Sequence, residues 1–282
     1  MATGGPELPP LREVIARHGL SARKSLGQHF LLDLNLTQRI VRAAGPLQEV
    51  TVIEVGPGPG GLTRSLLQSE ARQVIAVEKD TRCLAALAEL GEAFPDRLAL
   101  IEGDALEQPL SSLGDAPRQV VANLPYNVAT ALTLSWMDEL EARSGLVTGF
   151  TLMFQKEVAE RLAASPGGKD YGRPSVIVQW LCQVETLFDI DPRAFTPPPK
   201  VTSSLVALRP RREPLSPAPK WALERVTAAA FGQRRKMLRQ SLKSLGVDTV
   251  KLLTEAGVAE TQRPEDLPVE AFCALARRFA AA

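Results

Sequence analysis

Residues 51–63 read TVIEVGPGPGGLT. Thr51–Val55 is a short run of mostly β-branched, apolar residues and predicts a strand. A glycine–proline loop follows, and a helix is expected to start near Gly61. Gly56, Gly58 and Gly61 satisfy the spacing G-x-G-x-x-G, which brings backbone close to a nucleotide-like ligand after the first strand of an α/β unit. The prolines argue against a pyrophosphate there, because that group is gripped by loop N–H donors and Pro57 and Pro59 have none. Glu54, just before the loop, suits a cationic ligand. S-adenosylmethionine, with its ammonium and sulfonium, fits both features. The plainer alternative is a tight turn with a solvent-facing Glu54.

Outward from this loop the pattern alternates. Gln73–Glu78 is a second strand, followed by a helix over Asp80–Gly91 with Leu84, Leu87 and Leu90 on one side. Leu98–Gly103 is a third strand and Gln119–Ala122 a fourth, running into Asn123-Leu124-Pro125-Tyr126. A helix over Ala129–Ala142, a strand over Gly149–Gln155 and a helix over Lys156–Ala164 come next. Val184–Ile190 and Ser204–Arg209 are two further strands around the proline-rich Phe195–Lys200. Upstream, Leu11–Gly19 is a short amphipathic helix, and Asp33 caps a helix over Leu34–Ala44. Strands alternating with helices predict an α/β class and a parallel, doubly wound, Rossmann-like sheet.

The composition changes at RPRREPLSPAP, residues 209–219, which reads as a linker. Helices are expected over Lys220–Phe231, Arg234–Leu245, Asp248–Gly257 and Pro268–Ala280. Residues 1–208 are therefore assigned to a catalytic domain with its N-terminal segment, and 209–282 to a small all-helical domain. The net charge of +1 is unevenly spread: residues 209–282 carry 14 Lys+Arg against 8 Asp+Glu, and the preceding 208 residues carry 19 against 24. A basic tail domain on a near-neutral molecule suggests a polyanionic partner, with a solvated helix face as the plainer alternative.

The three cysteines, Cys83, Cys182 and Cys273, are far apart, and His18 and His29 form no ligand cluster. No disulfide framework or structural metal is expected, and a reducing cytoplasm is the default. The opening MATGGPELPP has neither the basic region nor the apolar core of a secretory signal, and no apolar run approaches a membrane span.

Glu78 ends the second strand 20 residues after Gly58, where a carboxylate accepts hydrogen bonds from ribose hydroxyls. Asp104 ends the third strand, either as an acceptor for the exocyclic amine of a cofactor adenine or as a helix N-cap; the sequence leaves both open. Asn123-Leu124-Pro125-Tyr126 lies at the carboxyl edge of the sheet, where open α/β folds bind ligands. It could be a plain turn. It also suits an adenine amine, whose lone pair is delocalised into the ring. The Asn123 side-chain oxygen and a backbone carbonyl can accept its two N–H bonds. That geometry turns the nitrogen toward a lone-pair-bearing form aimed at a methyl donor, and Tyr126 can stack on the base. Catalysis is then mostly positioning.

GQHFL, VIEVGPGPGGLT, NLPYNVAT and AFTPPPKVTSS, in this order, resemble the ribosomal RNA adenine N6-dimethyltransferases, and most closely the small-subunit enzymes linked to kasugamycin sensitivity. The resemblance runs from about Ser21 through FGQRRKMLRQSL. It implies dimethylation of N6 on two adjacent adenosines near the 3′ end of 16S rRNA, during ribosome biogenesis, with S-adenosylmethionine as cofactor. It implies that His29 and Leu31 line the cofactor site with Gly56, Glu78, Asp104 and Asn123, that Asn123 and Tyr126 serve the target adenine, and that Phe195 stacks on it. His29 stands where many relatives carry Asn. The basic residues Arg211, Arg212, Arg225, Arg234, Arg235, Lys236 and Arg239 then have RNA phosphates as partner, within a small ribosomal subunit or its assembly intermediate, and a monomer is expected. Two rival readings are a related large-subunit methyltransferase of the antibiotic-resistance type and a non-catalytic assembly factor of the same fold.

Overall fold

The computed structural model describes residues 6–282, so the first five residues of the opening stretch lie outside the described region. Helix α1 (Leu11–Arg17) is followed by a two-residue strand, β1 (Phe30–Leu31), and by α2 (Leu34–Ala43), which Asp33 caps by accepting from the Asn35 amide. The decisive stretch then gives β2 (Thr51–Val55) and α3 (Gly61–Leu67). The alternation continues through β3 (Gln73–Glu78), α4 (Thr81–Ala93), β4 (Leu98–Glu102), β5 (Arg118–Ala122), α5 (Ala129–Ala142), β6 (Gly149–Gln155) and α6 (Lys156–Ala163). Beyond α6 come α7 (Arg173–Leu181), β7 (Cys182–Ile190), β8 (Phe195–Thr196) and β9 (Ser203–Pro210).

The seven-stranded sheet has the order β4-β3-β2-β5-β6-β9-β7. The first five strands are parallel, and β9 is inserted antiparallel between β6 and β7. All five residues of β2 are buried because helices cover both faces, as a central parallel strand requires. Side chains alternate across the sheet. Ile53 and Val55 join a core with α5, α7 and the C-terminal helices, while Val52 joins a second core with α2 and α3. Glu54 is in phase with Val52 and therefore lies on the α3 side.

Helix α7 was not legible from periodicity. Six of its nine residues are buried, so it has no polar face, and β7 follows without a break. The short strands β1 and β8 were also invisible locally. They pair antiparallel, Phe30 with Thr196 and Leu31 with Phe195, and so tie the GQHFL segment to the proline-rich segment.

The last quarter forms α8 (Lys220–Gly232), α9 (Leu238–Ser241), α10 (Thr249–Glu255) and α11 (Val269–Ala280). The helix expected over Arg234–Leu245 is corrected. Residues 233–237 are non-helical, and a 3-10 turn, Leu242–Leu245, follows α9. The amides of Leu238 and Arg239 donate to Gln262 and Glu260 carbonyls, so a neighbouring loop takes bonds that a continuous helix would need. Residues 209–219 are not a free linker either. β9 runs to Pro210, the Arg211 and Leu215 amides donate to Leu181 and Trp180 carbonyls, and the Trp180 indole donates to the Ser216 carbonyl at 2.8 Å. One continuous apolar cluster runs from Ile53 to Phe279 and includes Trp180, Leu223 and Phe272.

Candidate functional site

The glycine loop lies at the carboxyl ends of β2 and β3. Gly56 donates its amide to the Val77 carbonyl at 2.9 Å, which continues the ladder one residue past the strand. Gly58 has φ of +54°, and a Cβ there would sit 3.1 Å from a Phe30 ring carbon. A Cβ on Gly61 would meet the Leu31 carbonyl oxygen at 2.1 Å. The loop is thus glycine-rich partly because β1 crosses directly over it, a cause the sequence did not reveal.

Three carboxylates line the pocket beside this loop. Glu54 is 1% exposed, and its Oε2 is buried without a hydrogen-bond partner among the described residues, as is the Thr63 hydroxyl. Burial pushes the Glu54 carboxyl up to about 8; the nearby Thr63 hydroxyl opposes this, and the Glu78 charge adds to it. Glu78 accepts from the Gly58 amide at 2.8 Å and the Asp80 amide at 2.7 Å. Its carboxyl is raised by burial, with those amides pulling the other way. It therefore braces the loop, and each oxygen retains acceptor capacity toward the pocket. Asp104 does act as an N-cap, accepting from the Leu106 amide at 3.0 Å, and its other oxygen pairs with the Lys79 ammonium at 2.7 Å. Lys79 holds the Asp104 carboxyl below the usual range. Asp104 thus caps a turn and also lines the pocket.

The segment 25–31 forms another wall of the pocket. Gln28, which sequence reasoning passed over, donates to Asp80 at 2.9 Å, while its side-chain oxygen accepts from the Arg23 amide. Leu31 is buried and lines the pocket. His29 is half-buried, with Nδ1 2.7 Å from the Pro197 carbonyl.

Asn123 follows β5, and its Nδ2 donates to the His29 carbonyl at 2.9 Å. A carbonyl can only accept, so the amide nitrogen is fixed on that side and Oδ1 is left free. Leu124 is buried and anchors the motif in the core. The Pro125 carbonyl accepts from the Val128 and Ala129 amides, closing the turn into α5. Tyr126 shares a short hydrogen bond with the Ser203 hydroxyl, a partner not anticipated from the sequence. Burial raises the Tyr126 phenol, so it stays neutral at physiological pH.

Phe195 is not among the residues that line the pocket. It is 2% exposed, belongs to the core on the α2–α3 side, and meets His29 edge-on, with centroids 6.4 Å apart. Pairing of β8 with β1 turns its ring into the core. The ring stacked on Tyr126 is that of His29, at 5.4 Å and 30° between planes.

The basic residues divide. Arg212, Arg225, Arg235, Lys236 and Arg239 are exposed, and Arg225 also lies over the Phe279 ring at 5.1 Å. Arg234 is engaged internally, 2.8 Å from Glu265 and 3.0 Å from the Gly168 carbonyl. Arg211 donates to the Gln179 carbonyl at 3.3 Å. Arg234 thus ties the tail to the loop between α6 and α7, and Arg211 ties the segment after β9 to α7.

The pocket fits S-adenosylmethionine on its own terms. A buried carboxylate oxygen without a partner awaits a donor or cation, the glycine loop admits close approach, and two further carboxylates stand at successive strand ends for hydroxyl and amine donors.

Comparison with known proteins agrees with this chemistry. Residues 19–281 match the family described as ribosomal RNA adenine dimethylase. A ribosomal RNA small subunit methyltransferase A from Rhodospirillum rubrum is 62% identical over 280 residues, covering 99% of this chain and 96% of the relative. Its counterpart from Paramagnetospirillum magneticum is also 62% identical, covering 96% and 95%. Among solved structures, a dimethyladenosine transferase from Plasmodium falciparum superposes with a TM-score of 0.76 at 25% identity, covering 88% of this chain and 96% of the other. The 23S rRNA methyltransferase ErmE gives 0.66 at 27% identity, covering 89% and 99%.

Proposed function

The chain belongs to the ribosomal RNA adenine dimethylase family, and on that premise we propose that it dimethylates N6 of adenosines in small-subunit rRNA, with S-adenosylmethionine as methyl donor. The observation that carries this is the Asn123 amide, whose nitrogen is held by His29 so that its oxygen is free at the end of β5, beside the glycine loop. When bound, S-adenosylmethionine supplies a methyl group on a sulfonium. Glu54 would hold the cationic part of such a ligand, Glu78 its ribose and Asp104 its adenine amine. Asn123 Oδ1 and the Leu124 carbonyl accept the two N–H bonds of the target amine and turn its lone pair toward the donor. Tyr126 stacks on the base after it has left its own stack. After the first transfer one N–H remains, and stacking holds the alignment for the second.

The exposed cations Arg212, Arg225, Arg235, Lys236 and Arg239, within residues 209–282, are proposed to meet rRNA phosphates. The substrate is proposed to be the 16S rRNA of a small subunit or its assembly intermediate, acted on by a monomer in the cytoplasm, at two adjacent adenosines near the 3′ end. The names of the relatives at 62% identity favour this over a large-subunit target, and the intact Asn123–Tyr126 motif favours an enzyme over a catalytically silent assembly factor.

Incubation with radiolabelled S-adenosylmethionine and unmodified small or large subunits, followed by nucleoside analysis, tests the proposal. N6,N6-dimethyladenosine in the small subunit is the expected product, with the monomethyl form transient. Label confined to the large subunit would support the rival assignment, and a product that stops at one methyl would rule out dimethylation.

A further inference from the structure

Of the three tryptophans, Trp136 and Trp180 are buried, whereas Trp221 is 53% exposed. One exposed apolar side chain is ordinary by itself, but this one has particular neighbours. Trp221 lies on α8 one turn before Arg225, and both pack on the Phe279 ring at the end of α11. The indole is 5.8 Å from that ring between centroids, and the guanidinium carbon lies 5.1 Å from its centre. An exposed indole and an exposed guanidinium are thus held side by side. Lys220 draws the carboxylates Asp138 and Glu224 to itself. Arg225 and Arg278, both exposed, take part in none of the ion pairs among the described residues.

The outer face of α8 extends this patch. Trp221, Arg225, Ala228 and Gly232 recur at i, i+4, i+7 and i+11, and all are exposed. The face carries no acid, and Ala228 and Gly232 leave room for a sugar–phosphate chain to lie close. It leads along the helix, over about 20 Å, to the exposed Arg235 and Lys236. On the reading of residues 209–282 as the part that meets rRNA, we infer that this face of α8 is a track for single-stranded rRNA, with Trp221 stacked on an unpaired base at its far end. Arg225 takes the adjoining phosphate. Stacking needs a free base face, so the contact selects single strand over duplex, which phosphate contacts alone do not. Trp221 lies at the end of α8 that Lys220 ties to Asp138, well along α5 from the Val128 end that lines the pocket. It therefore acts on substrate binding and not on methyl transfer.

The full-length protein is titrated with an unstructured single-stranded RNA oligonucleotide and, separately, with an RNA duplex of the same length. Because the other two indoles are buried, tryptophan fluorescence reports on Trp221. Single strand is expected to quench it saturably, and duplex to leave it unchanged. W221L keeps an apolar cover on Phe279 and loses the aromatic face. It is expected to bind single strand about tenfold more weakly, the scale of one base–aromatic stack, with its salt dependence and duplex affinity unchanged. W221F should stay within about threefold of wild type. R225Q should reduce the slope of log affinity against log salt by about 0.7, the value for one phosphate of a single strand. With unmodified small subunits, W221L should raise KM and leave kcat as it was. Calorimetry of cofactor binding shows that each variant folds, and W221Q replaces W221L if the latter does not. The inference is overturned if single strand leaves the wild-type fluorescence unchanged, if W221L binds single strand like wild type, or if W221F is as weak as W221L. A raised KM on subunits with wild-type affinity for free single strand would assign the patch to a protein partner and overturn it too. Wild-type protein that binds neither RNA overturns the wider reading of the tail, and this one with it.

Discussion

The Asn123 side-chain nitrogen donates to the His29 carbonyl at 2.9 Å across 94 residues of sequence. That bond fixes which end of the amide faces the pocket. Asn123→Ala is expected to lower single-turnover methylation by about 10²–10³-fold, the scale of losing one preorganised polar group, with a much smaller change in cofactor affinity. Asn123→Asp presents an oxygen to the His29 carbonyl where a donor stood, and should be slower than wild type for that reason. Rapid-quench kinetics checks both, and equal rates for wild type and N123A would remove the amide from the reaction.

Glu54 makes stability depend on pH. Its carboxyl is raised from 4.5 to about 8 in the fold, so between those values the folded state holds a proton that the unfolded state has lost. The penalty is absent below the unfolded value, grows as pH rises, and is complete above about 8. At pH 7 it amounts to roughly 3 kcal/mol at most. Glu54→Gln should therefore unfold at higher temperature than wild type at pH 8 and close to it at pH 4.5, while binding cofactor more weakly. Melting curves across pH decide the first claim. A variant whose advantage does not grow with pH would contradict it.

Glu78 braces the loop as well as facing the pocket. Glu78→Ala leaves the Gly58 and Asp80 amides without partners, each charge-assisted bond being worth about 1.5–3 kcal/mol. Both cofactor affinity and the stability of the ligand-free protein should fall. Calorimetry that returned wild-type affinity would disprove the ribose assignment, and an unchanged melting point would disprove the bracing.

The basic tail should respond in two different ways. Reversing Arg235, Lys236 and Arg239 to Glu is expected to weaken RNA binding and to reduce the slope of log affinity against log salt by about 1 for each phosphate no longer neutralised, with cofactor binding intact. Arg234→Glu places like charges beside Glu265, so it should lower the melting temperature. An unchanged slope in the triple variant would take this face out of the RNA interface.

Arg234 also shows where reading by composition stops. In sequence it belongs to a basic cluster. In the fold its guanidinium reaches Gly168, 66 residues away, and no local pattern encodes that pairing. The glycine loop was legible because its cause is local: a β-branched strand, residues permitting tight turns, and a helix start, all within thirteen residues. Glu78 and Asp104 were legible because a carboxylate at a strand end in a parallel sheet has a position set by topology alone.

The sequence by itself determined the parallel sheet, the loop, the carboxylates at the strand ends and the Asn123–Tyr126 motif, since short continuous apolar runs and turn chemistry act over a few residues. Only the tertiary structure decided which ring faces Tyr126. Phe195 and His29 compete for that place, and the outcome follows from the antiparallel pairing of Phe30–Leu31 with Phe195–Thr196 and from a hydrogen bond spanning 168 residues. Strand pairing assigns side chains to faces, so two residues of β8 sent Phe195 into the core and left His29 beside the pocket.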